Sequence, residues 1–417
     1  MGIRSDGDET VEAVSLFSIP GRNGKPPPMS LARKIWNRCR NLLPVQGFFF
    51  DRPLVLLQSD DWGRVGLRDR EGFDALGSAG LSLGEHPYDL YTLETAEDLS
   101  ALSQFLKRHR DATGRPACLG MNFLTANLDF ARMADEDFRT IHLRPITEGL
   151  PDPWQRPGLF EAYREGIDAG VFYPALHGST HFCRRAAERQ LAAGGERPAL
   201  LRTLWKAGTP YIHWRMPWIG YEYWDPELPA DERFLSADVQ ASLIGAAVGI
   251  FAKFFATLPR SACAPGYRAN RDTHRAWAQH GVRVAQNGTG TFTPPHLDDF
   301  GILHLYRSLD FEPALGEELA ADACVRQAGE YFAKGLPLIV SLHSINFHSS
   351  VKDFRSRTLT LLDEFLSALE ARYPDLLYLH DGDLCDLVQF GAYAAESRSA
   401  QVAVSKRRFT RNSVIQR

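Results

Sequence analysis

Short apolar runs, each closed by polar or turn residues, recur along the chain and alternate with stretches whose apolar residues repeat at helical spacing. Runs of this length, bounded in this way, predict strands covered on both faces. They fall at 54–58, 118–124, 171–176, 261–267, 282–286, 302–306, 337–342 and 376–379. Helical periodicity lies near 96–110, 159–169, 184–193, 237–258, 271–280, 319–333 and 355–371. Strand followed by helix, repeated, makes a parallel sheet, because a crossover between parallel strands needs a helix's length of chain. About seven or eight such units, with no glycine-rich nucleotide fingerprint, favour a closed or nearly closed β/α barrel over an open doubly wound sheet.

The two ends break this pattern. Residues 1–29 mix Gly, Ser and Asp with Pro26-Pro27-Pro28 and read as a flexible leader. Over 30–47, Leu31, Ile35, Cys39 and Leu42 share one helical face, while Arg33, Lys34, Arg38 and Arg40 add positive charge without an acid. That describes an amphipathic basic helix, either docked on the domain or, through residues 31–43, lying on an anionic membrane surface. The stretch 396–417, with Lys406, Arg407, Arg408 and Arg411, reads as a frayed basic tail, which leaves 48–395 for the β/α domain.

Composition narrows the function classes. The 417 residues are 44% hydrophobic and 24% charged, enough for a full core. No stretch approaches the roughly 20 unbroken apolar residues of a membrane span, and residues 1–10 do not resemble a signal peptide. A cytoplasmic protein, at most peripheral to a membrane, is the expectation. The formal net charge of -4 argues against a nucleic-acid partner. Six scattered cysteines without a Cys-x-x-Cys read as reduced thiols rather than a metal site.

Four of the apolar runs deliver ionisable residues to their C-terminal ends, where parallel α/β sheets gather their reacting groups. The first leads into Asp60-Asp61-Trp62-Gly63, in which one aspartate can bind a metal while its neighbour handles a proton; alone, the step also fits a solvated turn. The run 171–176 leads into His177-Gly178-Ser179-Thr180-His181. Two histidines four apart, with one carboxylate, make a two-His, one-Asp facial set that leaves positions open for water and substrate. The run 337–342 leads into His343, placed as a general acid, with His348 further on as a surface or rim residue.

Ala264-Pro265-Gly266-Tyr267-Arg268 brings Arg268 to the same end, to hold a carboxylate ionised, to contact substrate, or to make a structural salt bridge. Gln286-Asn287-Gly288-Thr289-Gly290 lacks the lysine of a phosphate loop and reads as a rim loop. Segment 211–225, with Trp214, Trp218 and Trp224, suits the apolar faces of sugar rings and equally fits a loop packed on the domain. Trp62, Tyr267, Trp214 and Trp218 are the candidate substrate contacts.

Taken in order, Gln58-Ser59-Asp60-Asp61, His177-x-x-x-His181, Pro265-Gly266-Tyr267-Arg268 and Ser341-Leu342-His343 resemble the motifs of the polysaccharide deacetylase family, the NodB-homology carbohydrate esterases, over about residues 50–390. Asp-Asp-Trp-Gly, His-Gly-x-x-His and Ser344-Ile345-Asn346-Phe347 make it most like a divergent bacterial branch of polysaccharide (de)acetylases. The resemblance implies an α/β fold, a distorted (β/α)7-type barrel of the glycoside hydrolase/deacetylase kind, with a long insertion over 62–170 between its first and third strands. It implies Asp60 as base, His343 as acid, and Asp61, His177 and His181 as ligands of a divalent metal, Zn2+ ahead of Co2+ or Mn2+. Departures are Gln58-Ser59 where the family has Thr-Phe, an arginine that follows the Pro-Gly turn, and Ser344 where an Asp usually follows the last histidine.

The implied reaction removes an acetyl group from an N-acetylated or O-acetylated sugar in a polysaccharide or its precursor. Asp60 takes a proton from a metal-activated water, the oxyanion leans on the metal and on a backbone N–H near Tyr267, and His343 protonates the leaving group. One rival is a glycoside hydrolase, with Glu222 or Asp225 as its second carboxylate. Another is a non-catalytic carbohydrate-binding or assembly protein of surface-polysaccharide synthesis.

Overall fold

Each apolar run holds one strand. The computed structural model describes residues 44–316, 318–393 and 401–410, so the leader over 1–29 and the basic residues up to 43 lie outside the described residues. In chain order the strands are β1 (Pro44–Phe50), β2 (Leu54–Trp62), β3 (Leu119–Phe123), β4 (Ala126–Leu128), β5 (Leu143–Pro145), β6 (Phe172–Leu176), β7 (Ser261–Cys263), β8 (Val284–Asn287), β9 (His296–Leu297), β10 (Leu303–Tyr306), β11 (Leu309–Asp310), β12 (Leu338–His343), β13 (Leu377–Tyr378) and β14 (Val404–Thr410). Strand β7 stops short of the expected 267 because Pro265 has no N–H to donate and Gly266 turns the chain at φ 58°.

Twelve strands form one sheet in the order β11-β12-β2-β3-β6-β7-β8-β10-β9-β1-β14, with β13 also on β2. From β11 to β10 every pairing is parallel, and β9, β1 and β14 follow antiparallel. Against the closed or nearly closed barrel read from the sequence, the pairing among the described residues is an open path: after β10 it passes to β9 and not to β11. At this seam the chain itself crosses, since Arg307 N–H bonds Asn287 O at 3.3 Å and Ser308 N–H bonds Ile339 O at 2.9 Å.

Strand β2 shows why its run is continuously apolar. Val55 and Leu57 enter one cluster beneath the helices, while Leu54 and Leu56 enter another with Leu303, Leu305 and Ile339. A strand covered on both faces has no polar side. Helix Ala237–Phe255 is the one helix among the described residues long and apolar enough, by length and composition, to cross a membrane. In this structure its Ile244, Ala247 and Phe251 are buried with Ala276 and Trp277 of helix Arg271–Gln279.

Two readings of the ends change. Residues 44–47, assigned to the basic helix, begin strand β1, and 404–410, assigned to a frayed tail, are the strand paired with it from Pro44↔Thr410 to Phe50↔Val404. The charges are accommodated by aromatic faces: Lys406 Nζ lies 5.6 Å from the Phe48 ring centroid and the Arg407 guanidinium 5.0 Å from that of Phe49. The five described cysteines are buried.

Candidate metal centre and active site

Successive side chains on a strand point to opposite faces, so Asp60 and Asp61 should diverge. They converge because the β2–β3 register shifts between Ser59 and Trp62, and Asp61 takes a left-handed φ of 75°. The Asp61 carbonyl accepts from Tyr91 Oη at 2.7 Å and Ser344 Oγ at 3.3 Å. The next residue, Trp62, is fully buried and stacks on Phe347 with ring centroids 5.7 Å apart, so it anchors the bulge and is not a substrate contact.

Asp61 Oδ1 then lies 3.6 Å from His177 Nε2 and 3.4 Å from His181 Nε2. His177 Nδ1 is 2.9 Å from Cys263 O, which can only accept, so Nδ1 carries the proton and Nε2 turns its lone pair toward Asp61. Asp61 Oδ1 and His177 Nε2 are buried and neither has a hydrogen-bond partner. Buried polar atoms are normally satisfied, and two acceptors facing each other fit a cation between them. Burial would raise the Asp61 pKa, but Arg64, 3.4 Å from Oδ2, and His181 hold it well below the usual carboxylate range. Burial pushes His181 well below its usual value and so keeps it neutral, the form that ligates metal.

The loop between the two histidines rests on Glu222. Ser179 N–H donates to Glu222 Oε1 at 2.8 Å, and a Cβ on Gly178, whose φ is 95°, would meet Glu222 Oε2 at 2.0 Å. Only glycine fits there. Burial pushes Glu222 up to about 7, yet it faces the underside of this loop, and buried Asp225 is paired with Arg189 at 2.6 Å. Neither carboxylate is offered to the mouth as a glycosidase acid would need.

Asp60 is buried on the other side of the bulge. Its Oδ1 accepts from Arg307 Nη2 at 2.5 Å and Asn122 Nδ2 at 2.6 Å, and its Oδ2 from Tyr267 Oη at 3.2 Å. Burial favours the neutral acid, but the Arg307 guanidinium together with His177 and His343 outweighs it and holds the carboxyl well below the usual range. Arg307 is itself fixed by Tyr267 Oη at 2.5 Å and Ser341 Oγ at 3.0 Å.

His343 Nε2 lies 3.9 Å from Asp60 Oδ2, and its Nδ1 lies 2.7 Å from Glu312 Oε1. Asn346 Nδ2 donates to the other Glu312 oxygen at 2.6 Å. Burial would lower the His343 pKa, but Glu312 and then Asp60 raise it to about 9. The ring therefore holds its proton at neutral pH and loses it as the pH rises through about 9. Glu312→Gln removes the largest raising influence, so the alkaline limb of the rate profile moves to lower pH while bound metal is unchanged. An unmoved limb would assign the acid to another group.

Of the roles read for Arg268, holding the Asp60 carboxylate is not the one it takes. Its guanidinium lies 4.6 Å from the Trp224 ring centroid, and the arginine on Asp60 is Arg307. Trp218 is 8% exposed beneath Arg197, 5.3 Å from its ring, which removes it from the substrate contacts. Trp214 is 39% exposed, its ring tilted against that of His86 with centroids 5.1 Å apart, and it is held by Asp89. The Tyr267 N–H donates to Ala264 O at 2.8 Å and so is engaged within its own turn; the hydroxyl is the part of Tyr267 at the site. His348 is buried, its Nε2 3.3 Å from Glu94, rather than at the rim.

Arg307, Glu312 and Arg64 were not singled out from the sequence. Arg307 directly follows the run 302–306, in the position relative to its strand that drew attention to Asp60-Asp61 and His177. The signal existed there. Nothing local marks Glu312 or Arg64.

No protein-family model matches this sequence, and no curated protein matches it. Among solved structures it is similar to a candidate polysaccharide deacetylase from Mycobacterium smegmatis, at 10% identity over 83% of this chain and 94% of that one, with a TM-score of 0.42. It is also similar to the α-amylase AmyC of Thermotoga maritima, at 10% identity over 80% and 74%, with a TM-score of 0.40. A third is a CE4-family pseudoenzyme from Bacillus anthracis, at 12% identity over 80% and 66%, with a TM-score of 0.34.

Proposed function

We propose that this protein is a metal-dependent hydrolase that removes acetyl groups from an N-acetylated or O-acetylated sugar of a polysaccharide or its precursor. The observation that carries the reading is the convergence of Asp61, His177 and His181, with two buried atoms lacking partners, beside Asp60 and His343. Bound by Asp61, His177 and His181, a divalent ion such as Zn2+ supplies Lewis acidity, lowering the pKa of a water it holds from about 15.7 towards 7.

The rest falls to the chain. Asp60, kept ionised by Arg307 despite burial, accepts the proton of the attacking water; the same guanidinium weakens it as a base, so a prior fall in the water's pKa is needed. His343, held protonated by Glu312, donates to the departing nitrogen or oxygen. Arg64, stacked 3.9 Å from the Tyr91 ring, engages Asp61 Oδ2 and leaves Oδ1 for the ion. Trp214 offers an exposed indole face for sugar C–H groups.

The test is acetate release from a panel of N- and O-acetylated sugars by metal-loaded protein. His343→Ala should keep its metal and lose roughly 10²–10⁴-fold in rate. Turnover that persists after complete metal removal would overturn the reading.

A further inference from the structure

A second two-His, one-Asp cluster lies on the opposite face of the sheet. Leu303 and Leu305 point into the cluster with Leu54 and Ile339, so His304 between them points the other way, toward helix Arg271–Gln279. There His304 Nε2 lies 3.3 Å from Asp298 Oδ2, and His274 Nδ1 lies 3.8 Å from the same oxygen. One ligand atom from each residue falls within 4.8 Å of the others. Asp298 Oδ1 accepts from the N–H groups of Phe300 at 2.8 Å and Ile302 at 3.0 Å. The loop thus fixes the carboxylate with Oδ2 toward both rings.

The 3.3 Å spacing is that of two ligands about one ion, and the 3.8 Å spacing is somewhat wider. With bonds of about 2.0–2.1 Å, atoms at the corners of a tetrahedron sit about 3.3–3.4 Å apart. His304 Nε2 and Asp298 Oδ2 are also within hydrogen-bond reach of each other, and at 3.3 Å they stand farther apart than the about 2.7–2.9 Å of a close charge-assisted bond. The cluster at Asp61 has the same signature, at 3.4 and 3.6 Å. Nδ1 of His304 lies 3.4 Å from the Asn287 amide nitrogen, whose hydrogens go to Ala285 O at 3.0 Å and Leu305 O at 2.9 Å. Asn287 therefore does not fix the imidazole tautomer. His274 and Asp298 are part-exposed, which leaves an ion a path in and a position for water.

We propose that His274, Asp298 and His304 form a second divalent-metal site, suited by its nitrogen and oxygen donors to Zn2+ and separate from Asp61, His177 and His181. Its placement suggests what it does. Helix Arg271–Gln279 follows the turn that carries Tyr267, and β10 runs into Arg307, both of which contact Asp60. An ion here ties those two segments together from behind the sheet.

Zinc counted per chain after equilibration and gel filtration tests this without reference to turnover. The unaltered protein should hold two ions, and Asp298→Asn should hold one while keeping the oxygen that caps the loop. His274→Gln, a milder change, should weaken one of the two by at least about tenfold, since losing a direct ligand should cost no less than losing an outer-shell partner. A count that neither variant lowers overturns the proposal, whatever His181→Ala does at the first cluster.

Discussion

His181→Ala should lose the ion of the first cluster and with it at least about 100-fold in acetate release, because deleting a direct ligand exceeds the 10–100-fold typical of outer-shell partners. His181 is the better probe of the two histidines. His177 also satisfies Cys263 O, so its loss would strand a buried carbonyl and mix folding with binding. The His181 ring instead lies among His177, His213 and Tyr221, at centroid distances of 5.4, 5.5 and 5.5 Å. Truncating it leaves no backbone group unpaired by an observed bond. Elemental analysis beside an acetate assay reads both effects, and full activity with full metal in this variant would remove Asp61 and its partners from the chemistry.

Arg307→Met should destabilise the protein by about 3–5 kcal/mol, because it leaves the Asp60 carboxylate buried without its cation. The pH dependence identifies the cause. In the unaltered chain the Asp60 pKa is held below its ordinary 3.8, so its ion pair contributes stability above that pH, and this is lost only as pH falls through the depressed value. Without Arg307, burial is opposed only by His177 and His343, so the Asp60 pKa in the folded state rises. The stability gap between the two proteins should then narrow on acidification, as read by denaturant unfolding at neutral and mildly acidic pH. A gap independent of pH would mean that Arg307 acts by packing alone.

The fold was legible wherever a strand is covered on both faces, because burial forbids polar residues there and leaves an unbroken apolar run. Strands β1 and β14 lacked that mark: charge on Lys406 and Arg407 hid a strand whose cations rest on phenylalanine rings. The open seam was hidden for a related reason, since only two residues, Arg307 and Ser308, cross it and no periodicity spans so short a piece. At the site, Asp60, Asp61, His177 and His343 were legible because they stand at or just past the ends of apolar runs, and His181 because it lies four residues beyond His177. Arg268 misled because it stands next to a Pro-Gly turn, whereas the cation on Asp60 comes from a strand with no turn to announce it. Trp62 and Trp218 misled because an indole near reactive groups serves packing as readily as binding.

The bulge at Asp61 has a consequence for how such a centre can be retuned. One backbone step aims the base at Arg307 and His343 and the ligand at His177 and His181. Affinity for the ion and proton affinity of the base are therefore geared to a single hinge. Any drift that improves one disturbs the other. On the proposed function, adaptation to a different substrate has its free variables elsewhere, as at the exposed Trp214, which is held by Asp89 and by neither aspartate of the site.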